Sequence, residues 1–288
     1  MNVPSSPSLP AAASPPPVPV SWLDAHDAFL VDLDGTLIRE SVATSGAARM
    51  LDRLRDRYVV VSNNSTDTAR SLARKLELLG LPVAPERMVL AGQATIDFVA
   101  HAYGTARVLL IAGPTLRGYA QRRGCLLVDA NADLVVLALD KRFSYAKLGL
   151  AANELRRGAR LIVTNPDASH PSLDQALVPE TGALMEAIVR CAGIGPALVV
   201  GKPGNMLFEE GLRRLRAQAA DALVIGDNPL TDAHGAVRLG MRYLLVGRHA
   251  LADADTPEAL LGLAHGGHSQ PPSARGGRAA VLAPVDSA

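Results

Sequence analysis

FLVDLDGTL, residues 29–37, is the stretch from which the rest of the chain is best read. The run AFLVDL (28–33) reads as a buried strand. It takes in Asp32, with Asp34 two positions later and Gly35-Thr36 beyond. The chain must leave the sheet here, and Gly35 lets the backbone turn, so both carboxylates can converge on one ligand at the sheet edge. Two carboxylates that close do not both ionise cheaply without a cation. Their oxygens favour Mg²⁺. An ordinary strand ending in an Asp-Gly turn would use the same letters, so this motif needs company.

Outward from this strand, short apolar runs alternate with helix-length amphipathic stretches. Helix 43–56 leads to the strand YVVVS (58–62), then to helix 67–79 with Gly80 as its stop. The region 84–173 repeats the alternation with RVLLIAG, DLVVLAL and RLIVT, and with helices near 92–103, 115–122 and 144–157. Helix 180–192, ALVVG (197–201), helix 205–217, ALVIGD (222–227), helix 230–238 and MRYLLVG (241–247) follow. Such alternation predicts an α/β chain with a Rossmann-like, doubly wound parallel sheet covered by helices on both faces. Ligands of these sheets bind outside the carboxyl ends of the strands.

Three more polar clusters stand at strand ends. VSNNST (61–66) offers a hydroxyl, two amides and the N–H groups of a helix start, which suits a phosphate or other anion. Helix capping by Ser65, Thr66 or Asp67 explains part of it equally well. GKP (201–203) sets Lys202 as a point charge after a strand. GDNPLTD (226–232) ends a strand on Asp227, which can join Asp32 on a metal or cap the next helix; Asp232 can brace the surrounding groups.

Composition narrows the function classes. The 288 residues carry 29 Lys+Arg against 28 Asp+Glu, a net charge of +1, without the basic surplus of a nucleic-acid binder. No apolar run reaches the roughly 18 residues of a membrane span. Two cysteines, Cys125 and Cys191, lack metal or CxxC spacing and fit a reducing cytoplasm. Residues 1–20 hold seven prolines and no charge, and 265–288 turn to His, Gly, Ser and Pro. Both read as disordered tails, His265 and His268 being too few for a metal site.

The four clusters in this order, DxDGT, SNN, GKP and GDxxxTD, resemble the haloacid dehalogenase superfamily. The nearest pattern is that of its subclass IIA, the NagD-like and p-nitrophenyl phosphatase group. The resemblance covers about residues 24–262 and implies a phosphatase core at 21–83 and 174–264. Residues 84–173 then form an inserted α/β cap of the C2 type, with ALDKRFSYAKL (138–148) and TNPD (164–167) as its matching runs.

The resemblance further implies Asp32 as nucleophile and Asp34 as general acid and base. Mg²⁺ would be held by Asp32, the main-chain carbonyl of Asp34 and Asp227, with Asp232 behind them. Ser62, Asn63 and Lys202 would orient the phosphoryl oxygens. TNPDASHP (164–171) resembles the substrate loop of pyridoxal phosphatase and singles out His170 as a cap contact to substrate. A small phosphorylated metabolite is the expected partner: pyridoxal 5′-phosphate, a nucleoside monophosphate, phosphoglycolate or a sugar phosphate. A phosphotransferase on the same frame and a non-catalytic regulatory protein of this fold are the alternatives. Homodimerisation through the cap is the assembly considered.

Overall fold

A computed structural model describes residues 22–172 and 176–265; the expected tails at 1–20 and beyond 265, with His268, lie outside the described residues. The run 28–31 forms the central strand of a five-stranded parallel sheet. Ala28–Val31 lies between Tyr58–Ser62 and Ala222–Gly226, while Met88–Leu90 and Arg242–Leu245 form the edges. Side chains alternate across a strand. Phe29 and Val31 therefore enter one apolar layer with Met50, Leu54, Leu72, Leu76 and Leu260. Leu30 enters the opposite layer with Leu207, Phe208 and Leu212. Burial on both faces is why this strand carries no polar residue.

The register decides where the site lies. Val31 pairs with Val60 and with Ile225, so the three central strands end together. Chain order runs outward in both directions from Ala28–Val31, which makes the gap between its carboxyl end and that of Ala222–Gly226 a topological switch point.

A second parallel sheet has the order Leu198–Val199, Arg160–Val163, Leu134–Leu137, Arg107–Ile111, Leu126–Leu127. Helices Tyr145–Arg156 and Thr181–Ala192 cover one face through Leu155 and Ile188 on Leu109, Val135 and Leu161. The other face, with Val108, Leu110 and Val136, shares one apolar cluster with Leu30, Val59 and Val61 of the first sheet. Residues of helices Ala91–Tyr103, Pro114–Arg122 and Asn205–Leu215 join the two. The expected α/β architecture with an inserted cap is thus present.

Its boundaries differ from the expected 84–173. Met88–Leu90 pairs with Tyr58–Ser62 and belongs to the first sheet. Thr181–Ala192 and Leu198–Val199, placed in the core by sequence, belong to the second layer. The chain thus leaves the first sheet after Leu90 and returns to it with helix Asn205–Leu215. Both layers use the same kind of buried strand, so the local pattern does not encode which sheet a strand joins.

Two short hairpins complete the frame. Ile38–Arg39 with Val42–Ala43 follows the first strand, and Ser169–Pro171 with Leu177–Pro179 presents His170 from the cap. Among the described residues no helix is long and apolar enough to cross a membrane.

Candidate active site

The backbone of the first strand makes its last sheet bond at Asp32, whose N–H donates to the Ile225 carbonyl at 2.8 Å. The chain then turns out through Asp34 and Gly35. Gly35 adopts a φ of +87°, in the left-handed region. The turn carries Asp34 to the second strand end, where Ser62 Oγ donates to Asp34 Oδ2 at 3.3 Å. Ser62 Oγ itself accepts from the Asn64 N–H at 3.0 Å.

Lys202 stands at the centre of the charges. Its Nζ donates to Asp32 Oδ1 and to Asp232 Oδ1, each at 2.6 Å, and the residue is 2% exposed. Burial works against the ammonium, but Asp232 and Asp32 hold it well above the usual lysine range. The second oxygen of Asp232 accepts from the Asn228 N–H at 3.2 Å. Asp232 is therefore occupied on both oxygens. Asp32 is not: its Oδ2 is buried and has no hydrogen-bond partner.

Oxygens of Asp32, Asp227 and Asp232 lie within 4.8 Å of one another. Three carboxylates face one ammonium, and the imbalance appears in their proton affinities. Burial, reinforced by Asp232, pushes the Asp227 carboxyl up to about 7, with Lys202 opposing. Burial also raises Asp34 above the ordinary carboxyl range, against the charge of Lys202 and the bond from Ser62. Asp32 is raised by burial as well, again against Lys202. An orphaned buried carboxylate oxygen beside an excess of negative charge fits a hard divalent cation. Asp32 and Asp227 are the groups that could ligate it.

The rest of the second strand-end cluster departs from expectation. Asn63 Oδ1 accepts from the Lys202 N–H at 2.7 Å, while Nδ2 donates to the Lys202 carbonyl at 3.1 Å and to Asp167 Oδ2 at 3.0 Å. Both amide hydrogens are used, so the side chain has no donor left for a phosphoryl oxygen. The capping reading also shifts. The N-cap of helix Ala69–Leu78 is Thr68, in a reciprocal capping box with Ser71, not Ser65, Thr66 or Asp67. Asn64 Oδ1 instead folds the preceding loop by accepting from the Thr66 and Asp67 N–H groups. Nor does Asp227 cap a helix; Asn228 does, accepting from the Leu230 N–H at 2.9 Å.

A haloacid dehalogenase-like hydrolase model matches residues 29–125, and a second HAD-hydrolase-like model matches 199–262. A 5′-nucleotidase of Bacillus subtilis is 30% identical over 227 residues, 78% of this chain and 88% of its own. The chain belongs to the haloacid dehalogenase-like hydrolases. Within that family it falls with the NagD and p-nitrophenyl phosphatase group. The solved 4-nitrophenylphosphatase of Thermotoga maritima superposes with a TM-score of 0.77 at 27% identity, over 84% of this chain and 98% of its own. The glycerol phosphate phosphatase of Mycobacterium tuberculosis, solved in complex with magnesium, has a TM-score of 0.71 at 32% identity. That match covers 78% of this chain and 69% of the other.

In this hydrolase the structure brings together Asp32, Asp34, Ser62, Lys202, Asp227 and Asp232, all named from sequence. His170 lies on the cap hairpin, exposed, with Nδ1 2.9 Å from Glu180 Oε1 and within electrostatic reach of Asp34. Burial raises the Glu180 carboxyl, with His170 opposing. Glu180 went unnoticed in the sequence because its neighbours form no recognisable motif. Asp167 and Asn165 stood inside the quoted TNPD run, yet nothing local revealed their partner in the core. His249 also escaped notice, although its Nε2 lies 3.0 Å from the Asp227 carbonyl.

Proposed function

We propose that this hydrolase is a Mg²⁺-dependent phosphomonoesterase acting on a small phosphorylated metabolite. The observation that carries the reading is the buried Asp32 carboxylate, one oxygen held by Lys202 and the other without a partner, at the switch point of the sheet.

An oxygen of Asp32 attacks phosphorus in line with the leaving group, forming an aspartyl-phosphate as the ester P–O bond breaks. Asp34, whose carboxyl burial raises above its ordinary range, serves as the general acid and gives a proton to the departing oxygen. The resulting carboxylate then takes a proton from water, whose oxygen attacks phosphorus and releases Asp32 and inorganic phosphate. Ser62 fixes the orientation of Asp34, and Lys202 neutralises charge on the phosphoryl oxygens. Mg²⁺, held by Asp32, the Asp34 carbonyl and Asp227, would supply further charge neutralisation. The cap hairpin with His170 would meet the leaving group. The intact set of acidic groups speaks against the non-catalytic alternative. Two free cysteines, Cys125 and Cys191, support the expected cytoplasmic setting.

The test is hydrolysis of p-nitrophenyl phosphate with Mg²⁺, after chelation, and with Asp32→Asn. Turnover should require the metal and fall by roughly a thousandfold or more in the variant. Full rate after chelation, or a variant within tenfold of the parent, would overturn the assignment. A panel of nucleotides, sugar phosphates, phosphoglycolate and pyridoxal 5′-phosphate, with an alcohol acceptor added, identifies the substrate and separates hydrolysis from transfer.

A further inference from the structure

The cap holds the core at Asn63, among other contacts. Asn63 belongs to the loop leaving strand Tyr58–Ser62, and its side chain clasps Lys202 through both the N–H and the carbonyl of that residue. Two cap residues hold Asn63 in turn. Asn165 Nδ2 donates to the Asn63 carbonyl at 2.8 Å, and Asp167 Oδ2 accepts from Asn63 Nδ2 at 3.0 Å. Asp167 is itself fixed at both ends of its backbone. Its N–H donates to Asn165 Oδ1 at 3.1 Å, and its carbonyl accepts from the Gly182 N–H at 2.7 Å, at the start of helix Thr181–Ala192. There is no slack where Lys202 is clasped: a Cβ on Gly201 would lie 2.5 Å from Asn63 Oδ1 and 2.7 Å from the Thr164 carbonyl.

From this chain of contacts we infer that Asp167 is a positioning residue: acting through Asn63, it sets the backbone of Lys202 so that the ammonium stands between Asp32 and Asp232. The orientation of the Asn63 amide is decided by its partners. Oδ1 must face the Lys202 N–H, which turns both Nδ2 hydrogens to acceptors, one of them supplied only by the cap. Without the Asp167 acceptor, Asn63 keeps a donor with no partner and has reason to rotate away from Lys202. The cation that neutralises the phosphoryl group is thereby tied to the seating of the cap, across 104 residues of sequence. Catalytic consequences rest on the phosphatase reading above; the positional claim does not.

The experiment compares Asp167→Ala, Asp167→Asn, Asn63→Ala and the double variant Asp167→Ala/Asn63→Ala. Hydrogen exchange of the peptide spanning Lys202 reads position directly, since the Lys202 N–H is the donor to Asn63. Exchange there should quicken at least about tenfold in Asp167→Ala and stay near the parent in Asp167→Asn, whose amide oxygen still accepts. Peptides elsewhere, such as that of strand Arg242–Leu245, should be unchanged. Unaltered exchange at Lys202 in Asp167→Ala overturns the inference, whatever the enzyme does.

On p-nitrophenyl phosphate, Asp167→Ala should lower kcat by about tenfold to a hundredfold, with KM changed much less. Asp167→Asn should recover most of that loss. The double variant should be no slower than Asn63→Ala alone, because both act on one connection. Additive losses, or an effect confined to KM, would place Asp167 at the substrate instead and overturn the inference. A parent protein without phosphatase activity would refute the function above while the exchange result still judged Asp167.

Discussion

Gly35 and Asp227 share one small space: a Cβ at residue 35 would lie 1.9 Å from Asp227 Oδ2. The turn that takes Asp34 out of the sheet passes directly beneath the carboxylate on the neighbouring strand end. Gly35 is needed twice, for its φ of +87° and for this approach.

Gly35→Ala should therefore displace Asp227 and add left-handed backbone strain of about 1–2 kcal/mol. Magnesium affinity, measured by calorimetric titration, should fall at least tenfold, and the melting temperature should drop with it. Unchanged affinity would mean that Asp227 does not hold the metal.

Lys202→Met tests the buried charge cluster. Removing the ammonium leaves Asp32 and Asp232 facing each other without compensation, a loss of roughly 3–5 kcal/mol in urea unfolding of the metal-free protein. Adding Asp232→Asn to the same chain should restore part of it. Equal stability of the single and double variants would show that Lys202 and Asp232 are not coupled.

His170→Ala should raise KM for the preferred metabolite by up to about tenfold, with a smaller change in kcat, the pattern of a lost binding contact. Turnover of p-nitrophenyl phosphate should barely move, because the phosphate groups of the core stay in place. Identical kinetics on every ester would restrict His170 to its contact with Glu180.

Acid sensitivity should show in the cap. Asp133 accepts from the Arg107 guanidinium and from its backbone N–H, and these bonds lower its carboxyl from the ordinary 3.8 to about 2. A group lowered in the folded state stabilises above its unfolded value, and that contribution is lost as pH falls through the folded one. Asp133→Asn should thus melt below the parent at neutral pH. The gap should shrink from about pH 4 and close near pH 2. A gap of constant size would deny the ion pair any role.

Much of the site was legible because its residues sit where local pattern is most informative. Asp32, Ser62 and Asp227 each end an apolar run that can only be a buried strand, and three such strands in one parallel sheet bring their carboxyl ends together. Lys202 was legible in the same way. The role of Asn63 was not, since a side-chain amide beside a phosphate loop and one clamped to a distant backbone look alike in sequence.

Local periodicity and the strand-end motifs, both carried by neighbouring residues, determined the α/β class, the family and the carboxylates proposed to react. Tertiary structure alone decided the rest. It assigned Met88–Leu90 to one sheet and Leu198–Val199 to the other, although both are short apolar strands. It placed Lys202 against Asp32 across 170 positions, and spent the Asn63 amide on Lys202 across 139. The physical reason is that burial on a strand is a property of nearby residues, whereas a strand's pairing partner and the saturation of a hydrogen-bonding group depend on segments that meet only when the chain has folded.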